Sequence, residues 1–470
     1  MTAAEFVVVA NRLPVDRVVT VDGEETWRTS PGGLVAALEP MMRTAKGAWV
    51  GWAGQADLSL EPFEAGGIRL VPVPLSEQEV AEYYEGFSND TIWPLYHDVI
   101  APPAYHREWW EAYMSVNRRF AEAAADAVAP GGTVWVHDYQ LQLVPEMVRA
   151  LRPDVVIGYF HHIPFPAHSL YAQLPWRDQV LRGLLGADVI GFQRAQDTAN
   201  FLAAVKRRLG YEVKSSSVSL PEGRRTVARA FPISIDTAPY RELAQRPDIR
   251  ARAAEIREGL GNPKKVLLGV DRLDYTKGIG HRIKAFGELL DQGRVSVEDV
   301  TFVQVASPSR ERVDAYVHLR DEIELAIGRI DGDHDTLGHT AIRYLHHGFP
   351  REEMVAMYLA ADVMLVTALR DGMNLVAKEY VATRADNRGV LVLSEFTGAA
   401  DELRQAVRVN PHDIEGLKDA IMTAIEMPAA EQGKRMRSLR KRVLENDVDA
   451  WSSSFLRALE TARHDRAARA

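Results

Sequence analysis

Val363-Met364-Leu365-Val366-Thr367-Ala368-Leu369-Arg370-Asp371-Gly372-Met373-Asn374-Leu375-Val376-Ala377-Lys378-Glu379-Tyr380 combines two secondary-structure patterns in eighteen residues. Its first part is a short, uncharged apolar run with β-branched residues, the pattern of a strand buried on both faces of a parallel sheet. Its second part reads as a helix. Asp371, Gly372 and the capping-type Asn374 make a tight turn between them, so the helix is predicted to start near Asn374 and Leu375. A helix start has unpaired N–H groups and a positive dipole end, which suit a phosphate group. Glu379 falls one turn, about 5.4 Å, beyond Leu375 on the same face, where a carboxylate can accept from ribose hydroxyls. Asp371, just ahead of the helix, would face whatever is attached beyond the phosphates. The plain alternative is an ordinary strand-turn-helix with a solvated Glu379.

A chain of 470 residues is too long for one typical core and implies two large domains. With 46% hydrophobic and 26% charged residues, and 33 Gly and 24 Pro spread along the chain, it reads as globular without a long disordered linker. A net charge of −9 argues against general nucleic-acid binding, so any anionic ligand must be met by locally placed cations. The absence of cysteine excludes disulfides, thiolate metal sites and a Cys nucleophile. The start has no basic n-region, and Phe6 to Ala10 is too short for a signal or membrane segment; the expectation is a cytoplasmic protein with no membrane partner.

Phe6-Val7-Val8-Val9-Ala10 is a buried-strand pattern ending in Asn11-Arg12-Leu13-Pro14, which places a cation at the C-terminal end of the first strand, the edge where open α/β sheets bind ligands. Ser30-Pro31-Gly32-Gly33-Leu34 follows, then a helix pattern through Leu34, Leu38, Met41 and Met42. Trp49-Val50-Gly51-Trp52 reads as a strand end, and Tyr83, Tyr84, Trp93 and His97 form an aromatic-rich segment of the kind that floors sugar sites or fills a core. From Gly131 onward strand and helix patterns alternate: Thr133–Val136, then His137-Asp138-Tyr139; Val155–Phe160, then the loop His161-His162-Ile163-Pro164-Phe165-Pro166; then 187–192. Such repetition implies a parallel sheet with helices on both faces. His137, His161 and His162 lack a partner at metal-ligand spacing, so no metal is assigned.

Ala230–Asp236 is strand-like and gives way to the charged helical stretch from Tyr240 to Glu258, so a boundary is expected here, with domains over 1–237 and 238–447 and a C-terminal helix near 448–466 packing back on the first. The second series opens with the strand Lys265–Val270, ending in Asp271-Arg272-Leu273-Asp274-Tyr275-Thr276-Lys277-Gly278, where Arg272 and Lys277 can clamp a diphosphate. The strand Thr301–Ala306 follows, then Ser307-Pro308-Ser309-Arg310. From Pro411 to His464 the pattern is helical, with Lys434 to Arg442 as a solvated face. Asp331-Gly332-Asp333-His334-Asp335 lacks the spacing of a calcium loop and reads as a surface loop after a helix; Asp447-Val448-Asp449 follows a charged helix and is not presented by a strand.

These motifs together resemble the trehalose-6-phosphate synthase family: Asn11-Arg12, Pro31-Gly32-Gly33-Leu34, Trp49-x-Gly-Trp52, His137-Asp138-Tyr139, His162-Ile163-Pro164-Phe165-Pro166, Arg272-Leu273-Asp274-Tyr275-x-Lys277-Gly278 and 370–379, in order from about Val7 to about Trp451. The resemblance implies an α/β chain of GT-B fold, two Rossmann-like doubly wound domains facing across a deep cleft, transferring glucose with retention from a nucleoside-diphosphate glucose to glucose 6-phosphate, with no cofactor and no metal. It implies that Arg272, Lys277, Asp371 and His162 are catalytic and that Gly33, Arg272, Lys277, Asp371, Asn374, Leu375 and Glu379 bind the donor. Arg12, Trp52, Tyr84, Trp93, Asp138 and Arg310 would bind the acceptor, the two arginines meeting its phosphate when the cleft closes. His161 stands where the family can carry an apolar residue. The partners implied are small molecules; UDP-glucose and GDP-glucose both stay open, as does a homo-oligomeric state.

A double-displacement enzyme would need a carboxylate nucleophile beneath the anomeric carbon, and none is evident. The family instead implies front-face attack, with the leaving diphosphate taking the acceptor's proton. The competing readings are a synthase with another acceptor (glucosylglycerol phosphate, or a validamycin-type pseudo-glycosyltransferase) and a silent sugar-phosphate sensor. A nicotinamide oxidoreductase would need Gly-x-Gly-x-x-Gly where Asn11-Arg12-Leu13-Pro14 stands.

Overall fold

The computed structural model describes residues 3–19, 25–30, 35, 38, 42 and 47–468. They fall into two compact units, 1–233 with 449–470, and 234–448. Among the described residues no helix is long and apolar enough to cross a membrane.

The first unit is built on β1 (Ala4–Arg12), a β2–β3 hairpin (Val15–Val19 and Glu25–Thr29), β4 (Ala48–Trp52), β5 (Phe63–Ala65), β6 (Ile68–Pro72) and β7 (Val128–His137). It continues with β8 (Val156–Phe160), β9 (Val189–Phe192), β10 (Glu212–Lys214), β11 (Ser217–Ser219) and β12 (Arg225–Ala230). All but the hairpin join one ten-stranded sheet in the order β10-β11-β12-β9-β8-β7-β1-β4-β6-β5. Its central seven strands are parallel, while β5, β10 and β11 are short antiparallel additions at the two edges. The chain steps outward from β1 through β4 to β6, then returns to the other side of β1 at β7. That reversal makes β1 and β7, in register at Val9 and Val136, the switch point of a doubly wound sheet, so Arg12 and Asp138 emerge together at its C-terminal edge.

Residues 231–236 are extended but form no strand; β12 ends at Ala230, six residues earlier than the alternation suggests. Phe231 still gives its N–H to the Phe192 carbonyl of β9 at 2.7 Å, but Pro232 has no N–H to give a neighbour, and Ile233 and Ile235 are buried by packing rather than laddering. Leu38 and Met42 of the expected helix are helical and buried, while Leu34 and Met41 lie outside the described residues. Beneath the sheet lies the helix Val448–Ala467: Phe455 stacks on Trp135 at 4.5 Å, and a Cβ on either Gly158 of β8 or Gly191 of β9 would come within 2.8 Å of the Phe455 ring. Two glycines side by side in neighbouring strands thus leave the groove that this phenylalanine fills.

The second unit is a six-stranded parallel sheet of β13 (Lys265–Arg272), β14 (Val300–Ser307), β15 (Ile342–Leu345), β16 (Val363–Val366), β17 (Val390–Ser394) and β18 (Val407–Val409), in the order β15-β14-β13-β16-β17-β18. Its switch point is β13 against β16, paired at Leu267–Val363. The apolar side chains of these strands pack with Ile283, Phe286 and Leu289 of the helix Ile279–Asp291 into one core. The acidic run 331–335 is not a loop as expected: the helix Asp314–His334 carries 331–334 as its last turn and Asp335 ends it, and Asp331 and Asp335 accept the N–H groups of Ile342 and Ala341 and so tie that end to β15.

Candidate functional site

In the first unit, β1 delivers Arg12 beside Trp52 at the end of β4, with the guanidinium 5.3 Å from the ring centroid and donating to Asp16 at 2.9 Å. The Trp49 indole donates to the Arg12 carbonyl at 3.0 Å. Gly54 completes the seat: at φ +88° it lies so close that a Cβ would stand 2.1 Å from Arg12 Nη2. Neither Asp16 nor Gly54 carries a recognisable pattern, although a glycine just past the Trp49-x-Gly-Trp52 strand end is a signal for a close approach.

Tyr84 lies in a wide i→i+5 helical winding over Val80–Ile92, an uncommon form frequent at functional sites. Its neighbour Tyr83 donates to Asn11 Oδ1 at 2.8 Å, and Tyr139 donates to Asn89 Oδ1 at 2.8 Å, so the winding is pinned to the ends of β1 and β7. Asp138, in the left-handed region at φ +73°, accepts from the N–H groups of Tyr139 at 2.9 Å and His162 at 3.2 Å. A cavity of about 410 Å³ is lined by Asn11, Arg12, Tyr84, His137 and Asp138 among others. It gathers three of the six expected acceptor residues. Trp52 packs behind it on Tyr84 at 6.0 Å, and Trp93 packs tilted on Tyr139 at 5.6 Å without lining it. Gly33 lies outside the described residues.

His162 sits 3.1 Å from His137 Nδ1, and burial pushes it down to about 3; burial, reinforced by His162, also lowers His137. Both imidazoles are therefore neutral, with the tautomer of one fixing that of the other. His161 points away into a core of Phe165, Phe192 and Tyr96, with Tyr159 Oη at 3.0 Å. Among the described residues no three His, Cys, Asp or Glu come together as a metal-binding group.

In the second unit, Arg272 ends β13 and Lys277 follows in a single 3₁₀ turn. Gly278, at φ +63°, begins the next helix so near β16 that a Cβ would meet the Thr367 carbonyl at 2.2 Å, which draws Lys277 to the switch point. Lys277 Nζ lies 2.6 Å from Asp371 Oδ2, and both side chains are largely buried. Asn374 caps the helix Leu375–Thr383, its side chain accepting the Ala377 N–H at 3.1 Å while its amide donates to Asp371 at 3.2 Å. One turn on, Glu379 accepts from Tyr358 Oη at 2.8 Å, and burial raises its pKa against hydrogen bonds from Tyr358 and Tyr240. The expected donor residues of this unit thus converge on one sheet edge.

Arg310 also belongs to this unit. Held at φ +50°, it donates to Asp274 at 3.2 Å and contacts the Tyr316 hydroxyl. Burial would raise Asp274, but Arg310, Arg272 and Lys277 outweigh it and hold the carboxyl at about 2. Arg310 is therefore bound, through Asp274 and Tyr316, into the loop that carries Arg272 and Lys277; Asp274 lies within the quoted motif, but nothing local there or at Tyr316 reveals the link to Arg310.

Residues 4–461 match the model of glycosyltransferase family 20. The chain belongs to glycosyltransferase family 20. The trehalose-6-phosphate synthase of Mycolicibacterium gilvum (strain PYR-GCK) is 57% identical over 470 residues, covering 97% of this chain and 93% of that protein. Among solved structures, an α,α-trehalose-phosphate synthase (UDP-forming) from Burkholderia xenovorans in complex with glucose 6-phosphate superposes with a TM-score of 0.87 at 34% identity, covering 97% of this chain and all of that one. An E. coli structure bound with UDP-2-fluoro glucose superposes with a TM-score of 0.88 at 33% identity, covering 97% of this chain and 98% of that one. The two-domain GT-B architecture expected from the motifs is the one these family 20 structures share.

Proposed function

We propose that the chain transfers glucose from a nucleoside-diphosphate glucose to glucose 6-phosphate, giving α,α-trehalose 6-phosphate with retention. The observation that carries the reading is the second unit's switch point, where Lys277, Asp371, the Asn374-capped helix start and Glu379 meet in a chain of this family. UDP-glucose is the donor to try first, since a family 20 relative was solved with UDP-2-fluoro glucose.

The diphosphate lies against Arg272, Lys277 and the N–H groups at Leu375, with Glu379 on the ribose; Lys277 turns from Asp371 to phosphate, and Asp371 turns to the glucose hydroxyls. On the acceptor, Arg12 and Arg310 take the phosphate, while Tyr84, Trp93, Trp52 and Asp138 shape the sugar pocket. His162, neutral, faces the donor's 6-hydroxyl and Gly33 the donor phosphate. The bond from the anomeric carbon to phosphate breaks as the acceptor's 1-hydroxyl oxygen attacks the same face. That hydroxyl's proton passes to the departing diphosphate, whose growing charge the two cations stabilise. No metal is needed in this scheme, because Arg272 and Lys277 do a divalent ion's electrostatic work.

Turnover of glucose 6-phosphate with a panel of nucleotide-glucoses, with the product resolved by NMR, tests the reading. The expected product is the α,α-linked disaccharide phosphate at an unchanged rate in EDTA. Formation only with glycerol phosphate or a cyclitol phosphate, or loss in EDTA restored by magnesium, would replace it.

A further inference from the structure

The first unit holds a second cavity, of about 480 Å³, at the edge opposite Arg12 and Asp138. Its walls come from the N-terminal ends of strands, from the length of β12 and from the helix Val448–Ala467. Asp188 directly precedes β9, Arg224 precedes β12, Arg225 opens β12, and Arg149 lies in the last turn of the helix Val144–Leu151. Arg466, near the end of the helix Val448–Ala467, closes it. On β12, Arg225, Val227 and Arg229 share one face at the two-residue period of a strand, and all three line the cavity.

Five arginines meet two carboxylates here, Asp188 and Asp465, in a protein whose net charge is −9. The Asp188 carboxylate is already shared: Oδ2 accepts from Arg149 at 2.6 Å, Arg466 at 3.3 Å and the Ile157 N–H at 2.8 Å. Arg149 and Arg466 also hold the Pro153 and Val155 carbonyls, which gives those two a structural task. Carbonyl capping does not account for Arg225 and Arg229, which are exposed on the cavity face. Nor does it satisfy Arg149 Nε and Arg224 Nη1, which are buried with no hydrogen-bond partner among the described residues. Burial, together with the charges of Arg466 and Arg224, lowers the pKa of Arg149 in spite of Asp188.

We propose that this cavity is a binding site for a compact, multiply charged phosphoryl anion, of the size of pyrophosphate or a small phosphate ester. Planar guanidinium forks match phosphoryl oxygens two at a time, and the volume admits a small metabolite. The site depends on no residue of the transfer reaction and lies at the far edge of the first unit's sheet from them.

The test is hydrogen exchange of the whole protein with pyrophosphate, beside calorimetric titration. Protection is expected over 222–230 and 458–466. The Arg225→Glu/Arg229→Glu variant should abolish that protection and weaken the corresponding binding by about tenfold or more, since two charge-assisted contacts are replaced by repulsion. Both altered residues are exposed, so the fold is retained; Lys277→Ala should leave this footprint intact. Glycerol phosphate run in parallel distinguishes an ester ligand from an inorganic one, and protection of the two stretches by either supports the site. Protection confined to 272–278 and 374–379, protection unchanged in the double variant, or none at millimolar anion overturns it.

Discussion

Lys277 and Asp371 occupy one another at 2.6 Å in a largely buried setting, so each is the other's counter-ion until a ligand intervenes. Replacing either one alone strands a charge, whereas replacing both does not. Lys277→Ala and Asp371→Asn should each lower kcat/KM by about a hundredfold or more. The double variant should lose less than the product of the two, with a coupling of about 0.5–3 kcal/mol in a kinetic double-mutant cycle. Strict additivity would mean that the pair has no joint role. Gly54 makes a second prediction. Gly54→Ala puts a methyl group where the Arg12 guanidinium lies, so KM for glucose 6-phosphate should rise about tenfold or more while nucleotide affinity, by calorimetry, stays put. A third concerns His161, which burial pushes down to about 3. An unfolded histidine titrates near 6.5, so the unfolded state takes up a proton that the folded one refuses. The stability from this group is therefore complete above about pH 6.5 and is lost as pH falls toward 3, by about 1.4 kcal/mol per unit. His161→Leu should accordingly show a smaller drop in Tm from pH 7 to pH 5 than the parent, in calorimetry at both pH values.

At the scale of elements, the helix Val448–Ala467 is fixed to the first sheet by Phe455, fully buried against Trp135 and the two glycines of β8 and β9. Phe455→Ala should cost about 3–5 kcal/mol, read as a lowered unfolding midpoint. Elements of this kind mark how far a sequence can be read. Parallel strands announce themselves, because burial on both faces forces unbroken apolar runs such as Val363–Val366 and Val7–Ala10. The edge strands β5, β10 and β11 do not, being three residues each and polar in part. The helix start at Asn374 was legible from its cap, and Arg12 and Arg272 from their places at strand ends. Their keepers were not: the links from Asp274 to Arg310, Tyr358 to Glu379 and Gly54 to Arg12 reach across sequence gaps that no periodicity spans. The wide winding at Val80–Ile92 was equally hidden, since its aromatic residues suit either a core or a site.

Across the complete chain, the same device appears twice: a run of parallel strands whose order reverses once, with the expected site residues at the C-terminal edge of that reversal. The compact units are not contiguous in sequence, for 449–470 belongs with 1–233. This bears on how the protein is made. The groove left by Gly158 and Gly191 exists as soon as β8 and β9 have formed, yet the phenylalanine that fills it is translated only after the intervening 234–448. At about 5–20 residues per second, the ribosome needs roughly ten to forty seconds for that interval. Throughout it the nascent first unit presents an uncovered apolar trough along Trp135 and Phe160, an invitation to chaperones and a hazard on crowded polysomes, which only the arrival of its own last helix removes.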